Sequence, residues 1–173
     1  MFEDVLPGES IAVLVNYLHS PETRTAVLLP GLASLAILQF YARRGRISNR
    51  LQLLWFLALP ISYFSAHWVV TPEFQQLYIY SAFSVVCALV LFKRMYVPPA
   101  LAFVLTFLSL WWVDVTRALC WALECGAPLE RFYLGIGGEG LRDALVLVPL
   151  LTAVSVAYAA RRIRSRGELL VDL

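Results

Sequence analysis

Charged side chains are scarce in this sequence. Its 173 residues include fourteen Lys or Arg and twelve Asp or Glu, so only 15% are charged, whereas 60% are hydrophobic. An ordinary soluble chain has about 25% charged residues. The charges available are too few to cover the outside of a soluble domain, and the basic residues stand at the ends of apolar runs instead of alternating with aromatics. The composition therefore predicts a membrane protein and gives no support to nucleic-acid binding.

Cysteine and histidine are also few. The three cysteines, Cys87, Cys120 and Cys125, contain no CxxC pair and are too few for a disulfide scaffold. Of the two histidines, only His67 lies in a long apolar run. A pair of histidine ligands for haem is therefore excluded, and we expect neither a metal site nor a cofactor.

Long apolar runs are abundant. Crossing about 30 Å of hydrocarbon takes roughly 20 helical residues, and five runs reach or approach that length: 25–41, 51–70, 74–93, 99–123 and 140–160. A shorter run at 9–20 is bounded by Pro7-Gly8 and Pro21, which predicts a helix lying in the membrane interface. The predicted fold class is an all-α integral membrane protein. It forms a single membrane domain, a bundle of five transmembrane helices preceded by a short interfacial helix.

The basic residues predict the orientation of this bundle. Ten of the fourteen lie in alternate connecting segments: Arg43, Arg44, Arg46 and Arg50; Lys93 and Arg94; Arg161, Arg162, Arg164 and Arg166. Because cytoplasmic loops carry the excess of Lys and Arg, we expect the N-terminus outside and the C-terminal tail 161–173 in the cytoplasm. The anionic cytoplasmic leaflet of a bacterial inner membrane suits this distribution, and that membrane is the predicted location.

Ionisable residues interrupt the apolar runs near their predicted outer ends. A rise of 1.5 Å per residue places Asp114 and Arg117 about 22 and 27 Å up the fourth span. Their spacing of three residues permits an ion pair, which would lower the cost of each charge in lipid. The predicted ligand-binding cluster consists of His67, Asp114, Arg117, Glu139, Arg142 and Asp143. Intramembrane charges are functional candidates because they are expensive in lipid; the alternative is that they only pack helices together or mark the wet end of a span.

Two features surround this cluster. The glycine-rich GIGGEG stretch, residues 135–140, has a backbone that can approach a ligand closely, and its amides beside Arg142 could hold a phosphate or carboxylate. The stretch lacks the Lys-Ser/Thr ending of a nucleotide loop, so a flexible connection between two spans is the alternative. Tyr63, Trp111 and Trp112 are predicted to wall an apolar pocket above the charges, which would suit an amphiphile with an anionic head group.

The sequence favours a non-enzymatic membrane protein that binds a lipid-like or anionic ligand, or a partner protein, at this cluster. A transporter, a flippase subunit or an accessory subunit would fit, with membrane lipid and a membrane-protein partner or a second copy as possible partners. One alternative is a protective or exclusion protein that pairs its spans with a pore former. Another is an intramembrane enzyme acting on a lipid phosphate or isoprenoid, with His67 as acid or base.

Overall fold

The structure, a computed structural model, describes residues 7–47, 49, 52, 56, 59, 60, 62–64, 66–71, 74–79, 97–125, 133 and 136–165. Its helices are α1 (Pro7–His19), α2 (Pro21–Thr23), a π-helical turn (Arg24–Leu28), α3 (Leu29–Arg43), α4 (Pro99–Cys125), a 3-10 turn (Gly140–Arg142) and α5 (Ala144–Ser165). Two short strands, β1 (Ala66–Thr71) and β2 (Phe74–Ile79), form an antiparallel pair. Apart from this hairpin, the elements of the described chain are helical.

Three helical segments are long and apolar enough to cross a membrane. They are Pro21–Arg43 with 23 residues, Pro99–Glu124 with 26 and Ala144–Arg162 with 19. They overlap the first, fourth and fifth predicted spans, which supports the prediction of a membrane protein with transmembrane helices. The second and third predicted spans lie largely outside the described residues, so the count of five remains a prediction.

Helix α4 lies between α3 and α5 and contributes most of the buried side chains. One core cluster joins Val97, Leu101, Ala102 and Leu105 to Val156 of α5, with Ile37, Leu38, Tyr41 and Ile47 packed against it. The other joins Phe107 and Leu110 of α4 to Ile136 and Leu145, with Val27 beside them. The first half of α4 contacts the end of α3 and the second half of α5, whereas its middle contacts Val27 and Leu145 near their starts. Both neighbouring helices therefore run antiparallel to α4. Van der Waals packing of this kind is what holds helices together where lipid replaces water.

The first spanning helix contains a π-helical turn because of a proline. Pro30 has no amide hydrogen, so it cannot donate to the carbonyl four residues earlier in the α-helical pattern. The chain widens here instead, and the amide of Leu29 donates to the carbonyl of Arg24, five residues earlier. The widened turn, Arg24–Leu28, presents the surface on which the 136–140 loop packs.

The hairpin differs from the prediction of continuous helix through the second and third spans. Described residues between 49 and 64 are helical, but 66–71 and 74–79 are strands paired with His67 opposite Tyr78. The local sequence explains the difference: Val69, Val70 and Thr71 are β-branched and favour extended backbone, and a proline follows them. The fifth helix also begins later than predicted, at Ala144 rather than at residue 140, because Gly140–Arg142 forms a 3-10 turn.

Candidate functional site

Tyr17, Asp114, Tyr133 and Asp143 come from α1, α4 and the segment that leads into α5, and they lie near enough to interact through their rings or charges. We call these four residues the tyrosine–aspartate cluster. The charges of Asp114 and Asp143 both act on the hydroxyl of Tyr17, and Asp114 lies near enough to Asp143 for the two carboxylates to interact. The cluster therefore combines two acidic groups with two phenols and has no basic residue as a member.

Tyr17 attaches α1 to the loop before α5. Its hydroxyl donates a hydrogen bond to the carbonyl oxygen of Ile136 at 2.7 Å, and its ring lies 5.0 Å from that of Tyr133 at 58°. Partial burial raises the pKa of Tyr17 above its ordinary value, interaction with Thr23 opposes this shift, and the negative charges of Asp143 and Asp114 raise it further. The neutral phenol is thus the form that the fold favours.

Asp143 has a structural role as the residue that caps α5. Its Oδ1 accepts a hydrogen bond from the amide of Leu145 at 2.9 Å, and its backbone carbonyl accepts from Val146 and Leu147. Its backbone is extended, as an N-cap requires. A carboxylate at a helix N-terminus is also stabilised by the helix dipole. These contacts account for Asp143 without a ligand, and its carboxylate also acts electrostatically on Asp114.

Asp114 has no comparable support. It lies within membrane-spanning α4 and is partly buried, and the contacts between described residues give its carboxylate neither a hydrogen bond nor an ion pair. Its charged neighbour is Asp143, which repels it. A carboxylate in an apolar span that faces another carboxylate lacks a positive charge to balance it.

The contacts between described residues include no ion pair of Asp114 with Arg117; the contacts described for Arg117 are with Tyr63. A guanidinium nitrogen donates to the backbone carbonyl of Tyr63 at 3.0 Å, and the guanidinium carbon lies 4.5 Å from the centre of the Tyr63 ring. The Tyr63 hydroxyl in turn lies 3.7 Å from Sγ of Cys120. The long side chain of Arg117 thus reaches the neighbouring segment that contains Tyr63.

The glycine-rich loop packs against the first spanning helix. Gly137 and Gly140 have positive φ angles of 76° and 61°. A Cβ on Gly137 would lie 2.6 Å from a methyl carbon of Val27, and one on Gly140 would lie 3.2 Å from the hydroxyl of Thr25. The amides of Ile136, Gly140, Arg142 and Asp143 all donate to carbonyls within 133–140. This loop therefore fits closely against the π-helical turn, and two of its amides, together with those of Arg142 and Asp143 just after it, are already bonded.

The other predicted site residues are not gathered at the tyrosine–aspartate cluster. Glu139 and Arg142 are exposed, and Trp111 and Trp112 are 38% and 43% exposed on the outside of α4 instead of lining an enclosed pocket. The backbone of His67 lies in β1, but its side chain is outside the described part of the structure. Of the nine predicted site residues, Asp114 and Asp143 are the two that belong to the tyrosine–aspartate cluster.

Sequence reasoning missed Tyr17 and Tyr133. Tyr17 lies in α1, which carries apolar residues over most of its length, so it looks like an ordinary interfacial aromatic. Tyr133 precedes the glycine-rich stretch and has no local pattern around it. The available signal was general: a buried tyrosine needs a hydrogen-bond partner, and that of Tyr17 is the carbonyl of Ile136 in the loop before α5.

Within the part of the chain that the structure describes, no group of three or more His, Cys, Asp or Glu residues is arranged to hold a metal ion. No protein-family model, no curated protein and no solved structure matches the chain, so its function has to be inferred from the site itself.

Proposed function

We propose that this protein is a non-enzymatic membrane protein that binds an amphiphile through a positively charged head group at the tyrosine–aspartate cluster. The observation that carries the proposal is the partly buried carboxylate of Asp114, which has Asp143 as its charged neighbour and no hydrogen bond or ion pair among the described contacts. A cationic group is the ligand that such a carboxylate would hold most strongly.

The charge of the cluster supports a cation over the anion that the sequence favoured. An aspartate in a spanning helix is costly, by about 3 kcal/mol at the bilayer centre and by less toward the outer leaflet, and a second carboxylate nearby adds repulsion. Arg117, the nearest arginine along α4, already binds the carbonyl and ring of Tyr63. An ammonium group between Asp114 and Asp143 would relieve both costs, whereas a phosphate would increase them.

The surroundings support an amphiphile over a small water-soluble cation. Trp111 lies one turn before Asp114, about 60° away around the same spanning helix, and is 38% exposed. An alkyl chain lying against Trp111 could place its head group at Asp114, and a tryptophan face attracts an ammonium group by cation–π interaction.

The membrane setting is part of the same proposal. Five spans, with the N-terminus outside and the C-terminus in the cytoplasm of a bacterial inner membrane, would put the tyrosine–aspartate cluster at the outer leaflet. Helix α1 would lie in that interface, attached through Tyr17. A protein of this form could work as a small transporter, a flippase subunit or an accessory subunit that presents a lipid to a partner.

The test is a binding titration with defined amphiphiles. The protein, in maltoside micelles, is titrated with a long-chain alkylammonium and separately with an alkyl phosphate of the same chain length, and binding is followed by tryptophan fluorescence. We expect the alkylammonium to bind more tightly. Asp114→Asn should weaken its binding roughly 10- to 150-fold, because a hydrogen bond to a charged group contributes about 1.5–3 kcal/mol.

Two further variants control this titration. Asp143→Asn removes the second charge but keeps an oxygen that can cap α5, so it should weaken binding without unfolding the protein. Glu139→Gln removes an exposed acid outside the tyrosine–aspartate cluster and should change nothing. Tighter binding of the phosphate, or equal weakening by Asp114→Asn and Glu139→Gln, would reject the proposal. Failure of both amphiphiles, together with a partner protein crosslinked at residue 114, would assign the cluster to protein recognition instead.

A further inference from the structure

A groove runs along the opposite end of the first spanning helix from the tyrosine–aspartate cluster. It is an open surface groove of about 670 Å³, lined by Leu35, Ala36, Leu38, Gln39, Ala42 and Ile47. Five of these six residues are apolar, and two of them are alanines whose small side chains leave the space open. We call this feature the α3 groove.

The chain that follows α3 closes one end of the groove. Gly45 adopts a φ angle of 62°, and the amide of Arg46 donates to the carbonyl of Tyr41 at 3.0 Å. This turn brings Ile47 back against the core cluster that contains Leu101. The groove therefore ends where α3 ends, beside Arg43 and Arg46.

The arginines at this end are exposed and carry an uncompensated charge. Arg43 and Arg46 are both exposed, and neither forms an ion pair among the described contacts. No acidic residue occurs between positions 29 and 47 of the sequence. The adjacent Arg44 is held differently, with its guanidinium carbon 4.0 Å from the centre of the Phe40 ring. Two guanidinium groups are thus available at the mouth of an apolar groove.

We infer that the α3 groove binds an anionic phospholipid. From residue 35 to residue 42 the helix rises about 10 Å, a large part of one leaflet of a bilayer whose hydrocarbon is about 30 Å thick. An acyl chain would lie along the apolar lining, with Gln39 as a donor to its ester oxygens, and the phosphate would meet Arg43 and Arg46. Guanidinium groups suit phosphate because their planar fork donates two parallel hydrogen bonds.

Net charge at the mouth selects the lipid class. A zwitterionic phospholipid brings its own positive group to the same place, so two arginines hold it less strongly than they hold an anionic one. The inference does not depend on the proposed function, since it concerns other residues at the other end of the spans and a ligand of opposite charge.

The experiment uses vesicles of phosphatidylcholine containing a minor fraction of phosphatidylglycerol. The full chain is reconstituted in them and released for native mass spectrometry, which gives the ratio of retained phosphatidylglycerol to retained phosphatidylcholine. We expect enrichment of phosphatidylglycerol on the wild type over its fraction in the vesicle. The double variant Arg43→Gln/Arg46→Gln should reduce that enrichment about tenfold or more. Each basic residue near the membrane surface attracts anionic lipid, and the variant removes two of them.

Matched variants separate the groove from general positive charge. Arg161→Gln/Arg162→Gln removes two exposed arginines at the same end of α5 and should leave the enrichment unchanged. Ala36→Phe fills the groove and should abolish retention, whereas Ala33→Phe, on an exposed position of α3 outside the lining, should not. Equal effects of the two arginine pairs, equal effects of the two phenylalanines, or no enrichment on the wild type would each overturn the inference.

Discussion

Gly137→Ala tests whether the glycine-rich loop serves for packing. The substitution places a methyl group where the φ angle is 76° and where the nearest atom of Val27 is 2.6 Å away. A left-handed backbone costs a residue with a Cβ about 1–2 kcal/mol, and overpacking in a filled region costs about 1–3 kcal/mol more. We therefore expect the free energy of unfolding to fall by about 2–5 kcal/mol.

The assay is unfolding by increasing sodium dodecyl sulfate in mild detergent micelles, followed by far-ultraviolet circular dichroism. Gly45→Ala is the matched control, because Gly45 also has a positive φ angle, 62°, but a Cβ there meets nothing within 4 Å. It should show only the backbone cost of about 1–2 kcal/mol. The difference between the two variants measures the steric contribution.

A double-variant cycle locates this contribution. Val27→Ala removes the methyl group that the new Cβ would strike, so Gly137→Ala should cost less in that background than in the wild type. If Gly137→Ala and Gly45→Ala destabilise the protein equally, and the two changes at 27 and 137 are additive, the packing role of the loop is refuted. The loop would then be open to a role in ligand binding again.

Three other predictions follow from the contacts of the site. Asp143→Ala should lower the free energy of unfolding by about 0.5–2 kcal/mol through loss of the helix cap, and Asp143→Asn by much less; equal losses in the detergent titration would contradict the capping role. Because the fold raises the pKa of Tyr17, its stabilising contribution is complete below pH 10.0 and is lost as the pH rises through the higher folded value. Unfolding measured against pH should therefore show an alkaline step that Tyr17→Phe lacks, and a step of the same size in that variant would exclude Tyr17 as its source. Arg117→Ala should release Tyr63 and speed maleimide labelling of Cys120, with the other two cysteines changed to serine, whereas Arg117→Lys should have a smaller effect; an unchanged rate would show that this contact does not shield the thiol.

The spanning helices could be predicted because apolar length alone determines them. The runs 25–41, 99–123 and 140–160 coincide with helices of suitable length and composition. Their ends were less predictable, because the ends depend on local chemistry. Asp143 caps α5 and shortens the predicted fifth span, and β-branched residues convert 66–71 to a strand.

The candidate site was harder to predict than the helices. Asp114 could be singled out because a charge in an apolar run is visible in any sequence. Its neighbours could not, since the direction of a long side chain depends on the segment it meets: Arg117 was expected to bind Asp114, and the contacts described for it are with Tyr63. Tyr17 is separated from Ile136 by 119 positions, and no local pattern predicts a hydrogen bond over that distance.

The most direct test of ligand binding at Asp114 is native mass spectrometry of the protein extracted gently from its own membrane, with wild type and Asp114→Asn compared in parallel. We expect the wild type to retain a lipid with an amine head group that Asp114→Asn does not retain. An anionic lipid retained equally by both would belong to the α3 groove and leave this test unaffected. Retention of the amine-headed lipid to the same extent by both proteins, or by neither, would contradict binding at the tyrosine–aspartate cluster.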